Sequence, residues 1–179
     1  DVIVMAPTNR LVANINSNRL SRLGGKSHKF KAQVEGELEK NAFPTDKVIE
    51  LKKGAQVMMV KNDSQRRWVN GTIGKVSSIS AGDVMVEIDG KDHFIESQAW
   101  SKINYSYDKE SKSLEENEVG KFVQLPIKLA WAVTIHKSQG KTYKSAVIDM
   151  GRGAFAHGQT YVALSRCMSL DRLYLKRKI

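Results

Sequence analysis

Four hydrogen-bonding side chains lie close together near the end of an apolar stretch. They belong to the segment LPIKLAWAVTIHKSQGKT, residues 125–142, and are Thr134, His136, Lys137 and Ser138. Hydroxyl, imidazole and ammonium groups at this spacing can bind successive phosphates of a single polynucleotide strand. A histidine alone is more often an ordinary surface residue, so this interpretation depends on the whole string.

Two tripeptides resemble the end of a nucleotide-binding phosphate loop, but neither has the required spacing. Such a loop has a further glycine five positions before its Gly-Lys-Ser/Thr. Gly25-Lys26-Ser27 has Leu20 at that position, and Gly140-Lys141-Thr142 has Ile135. No strand-like run ends in an Asp-Glu pair to hold magnesium. We therefore expect that this chain alone does not hydrolyse ATP. A complete ATPase site within this one chain would require a phosphate loop that the sequence does not contain.

The positive charge of the chain lies in its two outer segments. The net charge is +10, from 29 Lys and Arg against 19 Asp and Glu. Residues 1–53 have a net charge of +4, residues 54–121 of −2 and residues 122–179 of +8. This asymmetry favours a polyanionic partner that the outer segments bind.

The composition fits a folded intracellular domain. With 179 residues, 41% of them hydrophobic, the chain can form a core. Apolar runs are far shorter than the roughly 18 residues that cross a bilayer, so we expect no membrane partner, and the single cysteine suggests a reducing, cytoplasmic location. Cys167 is the single cysteine, and the four histidines lack metal-ligand spacing with it, so no protein-bound metal is expected. A first residue Asp1, rather than Met, suggests a piece of a longer polypeptide.

The chain shows two patterns of predicted secondary structure, and the residues named above lie in the pattern in which strands alternate with helices. Val2–Ala6 is typical of a buried strand, and Thr8 or Asn9 can cap a following helix that ends at Gly24-Gly25. After residue 121 strands and helices alternate again. The predicted elements are a helix over Leu129–Gln139, a strand over Ser145–Asp149, a helix over Gln159–Arg166 and a final strand over Arg172–Leu175. The aromatic residues Trp131 and Tyr161 are expected in the core. Alternating strands and helices indicate an α/β sheet domain.

The middle of the chain is instead rich in short strands and glycine turns. Strands are predicted over Gln56–Val60, Thr72–Ile79, Val84–Ile88 and a run to Ile95, and Lys109–Asn117 is predicted as a charged loop. This density suggests a small β-barrel inserted into the α/β domain. The segment GTIGKV at residues 71–76 is either a tight hairpin or a ligand-binding glycine turn.

Several of these segments resemble signature motifs of superfamily 1 DNA helicases, closest to the Pif-type and RecD-like branch that moves 5′ to 3′. APTN at residues 6–9 with Ile15-Asn16, KKGAQVMMVKND with WVNGTIGKV, TIHKSQG and GQTYVALSRC follow one another in the family's order. The resemblance implies that residues 1–53 and 122–179 form the second RecA-like motor domain, lacking its own phosphate loop. It also implies that residues 54–121 form an inserted SH3-like barrel.

The resemblance also implies individual roles. Arg166 is implied to be the arginine finger that reaches the γ-phosphate, and Gly140 and Thr142 to lie beside the nucleotide. The residues implied to face the DNA backbone are Thr8, Asn9, Thr134, His136, Lys137 and Ser138, although capping is an equal alternative for Thr8 and Asn9. The implied ligands are single-stranded DNA and ATP with Mg²⁺, the metal being held by an N-terminal motor domain absent here.

Two functions are therefore carried forward. The first is the C-terminal motor half of an ATP-dependent 5′ to 3′ DNA helicase, with ATP bound between this half and the N-terminal RecA-like domain of the same polypeptide. The alternative is a non-enzymatic nucleic-acid-binding module built on the barrel. The net negative charge of residues 54–121 disfavours the alternative, because binding to a polyanion begins with electrostatic attraction.

Overall fold

The computed structural model describes residues 2–36, 38, 43–108, 113–151 and 158–177. Among them are two α-helices, α1 (Asn9–Arg22) and α2 (Gln159–Leu164). The strands are β1 (Ile3–Ala6), β2 (His28–Lys31), β3 (Gln33–Gly36), β4 (Val48–Leu51), β5 (Gln56–Met59), β6 (Ile73–Ser80), β7 (Asp83–Ile88), β8 (Lys91–Phe94), β9 (Gln98–Asp108), β10 (Ser113–Gln124), β11 (Ile127–Leu129), β12 (Ala132–Thr134), β13 (Ala146–Ile148) and β14 (Leu173–Leu175).

A four-stranded parallel sheet joins the two ends of the chain. Its strand order is β12-β1-β13-β14, and Val4 of β1 pairs with Ala132 on one side and Val147 on the other. Strands buried in a parallel sheet are apolar along their whole length, as Ile3–Ala6 is. The predicted strands at Val2–Ala6, Ser145–Asp149 and Arg172–Leu175 are confirmed, with small differences at their ends.

Helix α1 covers one side of this sheet. The hydroxyl of Thr8 accepts a hydrogen bond from the Leu11 backbone N–H at 3.2 Å, which is the arrangement of a side-chain N-cap. Asn16 and Leu20 are the buried residues of the helix. The predicted capped helix is therefore confirmed. Of the two roles considered for Thr8, the structure shows the capping role.

The middle of the chain forms antiparallel sheets. One has five strands in the order β11-β5-β6-β7-β8, and a second has three in the order β3-β10-β9; β2 and β4 form a separate pair. The predicted strands over residues 56–60, 72–79 and 84–88 are confirmed. The core below the five-stranded sheet also receives Leu20, Leu51 and Leu125 from outside residues 54–121. Closure of this sheet into an SH3-like barrel stays a prediction, as do the boundaries of the insert, one of which falls within β10.

The predicted helix over Leu129–Gln139 is wrong. This stretch contains the end of β11, all of β12 and a 3₁₀ helix at His136–Ser138. A continuous apolar run fits a buried strand as well as a buried helix, and the β-branched Val133, Thr134 and Ile135 favour a strand. Pairing with β1 decides the outcome, because Ala132, Val133 and Thr134 bond alongside Val4, Met5 and Ala6.

Two further expectations need correction. Lys109–Asn117 was predicted as a loop, but residues 113–117 belong to β10 and pair with β9; residues 109–112 lie outside the described part. Tyr161, expected in the core, is 75% exposed, whereas Trp131 is half-buried and packs against the core.

Within the described residues, no helix is both long enough and apolar enough to cross a bilayer.

Candidate nucleic-acid interface

A groove of about 800 Å³ lies between α1, the segment 44–50 and strands β5, β11 and β12. Three of the side chains expected to bind DNA line it, namely Asn9, Thr134 and Lys137. Asn9 begins α1, whereas Thr134 ends β12 and Lys137 lies on the following 3₁₀ helix, more than a hundred residues later in the chain. Parallel pairing of β1 with β12 brings these residues together, because both strands end at the same edge of the sheet.

The 3₁₀ helix at His136–Ser138 is held by two side chains that point inward. The hydroxyl of Thr134 accepts a hydrogen bond from the Lys137 backbone N–H at 3.3 Å. The hydroxyl of Ser138 donates to the Ile135 carbonyl oxygen at 2.6 Å, and Ser138 is 0% exposed. Both hydroxyls thus stabilise the turn, and the exposed side chains on it are those of His136 and Lys137.

These two neighbouring residues line different depressions. Lys137 lines the groove, while His136 lines a second depression of about 270 Å³ together with Gln139, Gly158 and Val162. One turn of chain therefore separates the groove from the surface beside α2. The sequence had placed His136 with the phosphate-binding group, and the structure places it on the side of α2.

Arg166 lies just after α2 and is half-buried. Its Nε donates to the Val162 carbonyl oxygen at 3.1 Å, and its Nη2 donates to the Ser165 hydroxyl at 2.9 Å. These bonds hold the guanidinium against the end of α2 rather than inside the hydrophobic core. Arg166 is thus half-buried at the end of α2, with its guanidinium held by two hydrogen bonds within its own segment.

Tyr143 connects the segments 134–142 and 158–167 through backbone hydrogen bonds. Its backbone N–H donates to the Arg166 carbonyl oxygen at 2.9 Å, and its carbonyl oxygen accepts from the Met168 N–H at 3.2 Å. Burial raises the pKa of the Tyr143 phenol to about 12, partly offset by the positive charge of Arg166. The position of Arg166 is thus set from the backbone of the chain that follows Thr142.

Gly140 and Thr142 lie on the exposed stretch between the 3₁₀ helix and Tyr143. Gly140 has φ of +71°, a left-handed conformation that favours glycine, and a Cβ built on it meets nothing within 4 Å. Its backbone is therefore open to a ligand. Thr142 is exposed as well. The backbone of Gly140 and the side chain of Thr142 therefore lie on the protein surface.

No site for a metal ion is formed by the described residues. They contain no group of three or more His, Cys, Asp or Glu side chains that could hold one.

The groove contains basic residues that sequence reasoning did not single out. Lys128 and Lys141 line it together with Lys137, and Asn70 reaches it from the turn before β6. Lys128 lies within the segment 125–142, and the net charge of +8 over residues 122–179 is the feature of the sequence that indicates a basic surface. Sequence alone did not reveal which of these charges face one groove.

Burial and mutual repulsion affect two of these lysines. Burial, and then the neighbouring charge of Lys137, lower the pKa of Lys128 to about 8; Asp46 opposes the shift and Lys141 adds to it. The pKa of Lys141 is also lowered, first by burial and then by Lys137. The groove is therefore a positively charged surface whose ammonium groups destabilise one another.

Asp149 is a buried carboxylate that links the chain after β13 to the chain after β14. Lys176 donates to Asp149 at 2.6 Å, and the Gly151 backbone N–H donates to the same side chain at 3.0 Å. Burial alone would raise the pKa of Asp149, but the hydrogen bonds from Lys176 and Gly151, with the charges of Lys176 and Arg177, lower it overall. This contact fixes the chain that leaves β13.

Comparison with known proteins places the chain in a family. Residues 36–79 match the family described as the 2B domain of the DNA helicase Pif1. The ATP-dependent DNA helicase Pif1 of Bdellovibrio bacteriovorus is 42% identical over 136 residues, covering 76% of this chain and 29% of that protein.

Solved structures agree over the full length of the chain. Unliganded Pif1 from Bacteroides sp. has a TM-score of 0.90 at 30% identity and covers 100% of this chain and 41% of that one. Bacteroides Pif1 bound to ssDNA has a TM-score of 0.81 at 30% identity, with the same coverage. The chain thus spans less than half the length of these relatives. Its parallel and antiparallel sheets match theirs, which confirms the RecA-like α/β class, and the chain belongs to the Pif1 family of DNA helicases.

Proposed function

We propose that this chain is the C-terminal motor part of an ATP-dependent 5′ to 3′ DNA helicase, binding single-stranded DNA in the groove. The observation that carries the proposal is the 3₁₀ helix at His136–Ser138, which lines the groove on one side and the depression beside α2 on the other. A change at either surface can therefore be passed to the other through a single turn of chain.

Single-stranded DNA is the partner that the groove fits. Asn9 and Lys137 offer an amide and an ammonium group to phosphate oxygens, and the net charge of +8 over residues 122–179 attracts a polyanion. The similarity to Bacteroides Pif1 bound to ssDNA supports the same ligand class. Thr8, Thr134 and Ser138 hold the local structure, because their hydroxyls are engaged with the backbone.

ATP would bind on the side of α2, against an N-terminal RecA-like domain of the same polypeptide. That domain would hold the phosphate loop and Mg²⁺, which the present residues 25–27 and 140–142 do not supply. ATP supplies the free energy of γ-phosphate hydrolysis when bound. Arg166 would act as the arginine finger, Gly140 would present its open backbone to the nucleotide, and Thr142 would lie beside it.

Binding of DNA by this motor part would alternate between strong and weak during ATP turnover, because Arg166 and Lys137 lie on connected segments. Interaction of Arg166 with the γ-phosphate draws the two motor domains together, and Tyr143 connects the Arg166 backbone to the chain after the 3₁₀ helix. The grip of Lys137 on a phosphate would then differ between the nucleotide-bound and nucleotide-free states. In this proposal residues 1–53 and 122–179 form the motor domain and 54–121 an SH3-like insert beside the strand.

The test of the proposed function is an Arg166→Ala substitution in the complete helicase polypeptide. ATP turnover is expected to fall about 10³-fold or more, because an arginine finger contributes on that scale, while single-stranded DNA binding is retained. Arg172→Ala is the matched control, since Arg172 is exposed in a neighbouring turn. Unchanged turnover would falsify the finger assignment, and turnover by the 179-residue chain alone would contradict the division into two motor domains.

A further inference from the structure

The three lysines of the groove approach one another from different elements. Lys128 is on β11, Lys137 is on the 3₁₀ helix, and Lys141 follows three residues after that helix. Of these, only Lys137 belongs to the string TIHKSQG at residues 134–140. Three ammonium groups in one cavity of about 800 Å³ favour a ligand with several anionic groups.

Met58 fixes the relative position of two of these lysines. In the antiparallel pair β5 and β11, Lys128 lies directly opposite Met58, so their side chains share one face of the sheet. The Nζ of Lys141 lies 3.5 Å from the Met58 sulfur and 3.5 Å from Oδ1 of Asn70. The buried Met58 is therefore the cross-strand neighbour of Lys128 and also lies beside the Lys141 ammonium group.

The turn before β6 is shaped to receive Lys141. Gly71 has φ of +99°, and a Cβ built on it would lie 2.9 Å from Cδ and 3.0 Å from Cε of Lys141. A glycine at this position leaves room for the lysine stem to cross the turn. Lys141 is therefore held in place by contacts on two sides, from Met58 and from the turn.

Acidic groups in the groove do not neutralise this cluster. The carboxylates that line it are Asp46, which faces Lys128, and Glu50, which accepts a hydrogen bond from the Ser27 hydroxyl. Over the described ranges, none of the three lysines forms an ion pair within 4.0 Å. Lys128 instead donates to the Pro44 carbonyl oxygen at 3.4 Å.

We propose that Lys128, Lys137 and Lys141 together bind adjacent phosphodiesters of a single polynucleotide strand, with Lys128 as the innermost contact. This inference rests on the proposed function and deepens it, since Lys128 and Lys141 lie outside the string TIHKSQG at residues 134–140. Bound phosphate removes the repulsion among the three ammonium groups, because each gains an anionic partner in a partly buried site.

Binding is then coupled to proton uptake by Lys128. In the free protein this group loses its proton as the pH rises through about 8, with Lys137, Lys141 and Asp46 facing it. A phosphate beside it raises its pKa, so DNA binding favours the protonated form. Affinity therefore decreases from about pH 7 to about pH 9 by more than at a site made of ordinary surface lysines.

The test measures binding of the 179-residue chain to a fluorescent oligothymidine of about 10 nucleotides, between about 50 mM and about 200 mM salt. Lys128→Met, Lys137→Met and Lys141→Met are each expected to weaken binding roughly 5- to 50-fold and to lower the salt slope by about 1. Lys91→Met is the control, because it removes the same charge from the exposed β8.

Lys128→Arg provides a second measurement, the pH dependence of DNA affinity in a variant that keeps the positive charge. Arginine keeps its charge at every pH used, so this variant is expected to bind DNA while losing most of the decrease between about pH 7 and about pH 9. A wild-type decrease that Lys128→Arg leaves unchanged would contradict the role of Lys128.

Inorganic phosphate and ADP serve as separate probes for the source of the phosphate. The proposal expects the oligonucleotide to bind far more tightly than either, because only a strand offers adjacent phosphodiesters. Comparable binding of ADP would overturn it. If the wild type binds DNA and the three Met variants match Lys91→Met, the inference is wrong while the proposed function stands. If the wild type does not bind DNA, both are wrong.

Discussion

Asn16 of α1 forms a two-way hydrogen-bond pair with the backbone of Ala132, the first residue of β12. Its Nδ2 donates to the Ala132 carbonyl oxygen at 3.0 Å, and its Oδ1 accepts from the Ala132 N–H at 2.8 Å. Nδ2 also lies 3.4 Å from the Leu129 carbonyl oxygen at the end of β11. One side chain thus satisfies the backbone where the chain passes between β11, which carries Lys128, and β12.

Replacing Asn16 with Ala is expected to destabilise the protein by about 2–4 kcal/mol, because buried backbone groups at Ala132 and Leu129 lose their partners. Chemical denaturation of both proteins measures the difference. Asn14→Ala is the control, since Asn14 is exposed on the same helix. Equal stability of the two variants would contradict the structural role given to Asn16.

Gly71 and Gly82 form a matched pair that isolates the contact with Lys141. Both have strongly positive φ, +99° and +95°, but a Cβ on Gly82 meets nothing within 4 Å. Substitution of either by Ala is expected to cost about 1–3 kcal/mol of stability, because the backbone conformation disfavours a side chain. Only Gly71→Ala is expected to weaken binding of single-stranded DNA as well, since its new methyl group displaces the Lys141 stem.

Thermal unfolding and an oligonucleotide titration of both variants test this expectation. Equal DNA affinity of Gly71→Ala and Gly82→Ala would show that the position of Lys141 over the turn does not matter for binding.

Lys128 is expected to reduce the stability of the free protein. Its pKa in the folded protein, about 8, is below the ordinary value of 10.5, so the charged form costs stability fully below about pH 8. That cost falls as the pH rises from the folded value towards the unfolded one. Lys128→Met is therefore expected to stabilise the protein at about pH 7 by roughly 1–3 kcal/mol, and by less at about pH 9.

Denaturant unfolding at the two pH values measures this effect, with Lys91→Met as the control for loss of one surface charge. A loss of stability in Lys128→Met at neutral pH would show that its hydrogen bond to Pro44 outweighs the cost of burying the charge. The expected combination, a more stable protein with weaker DNA binding, is typical of a residue kept for its ligand.

Local patterns were sufficient for much of the fold. Thr8 is a favoured cap and begins α1, and the alternation in residues 72–79 and 84–88 places one face of β6 and β7 in the core. Those features depend on neighbours a few residues apart, so the sequence contains them directly. The apolar stretch 129–139 has no such periodicity, and pairing with a strand more than a hundred residues earlier decided its structure.

The same distinction applies to the site. The sequence by itself determined which groups are available: the string Thr134–Ser138, the arginine after α2 and the excess of positive charge in residues 122–179. Only the tertiary structure decided that Thr134 and Ser138 turn inward, that His136 and Lys137 face different depressions, and that Lys128 and Lys141 share the groove. Direction and convergence of side chains depend on strand order and on contacts such as that of Asn16 with Ala132, which join residues far apart in the chain.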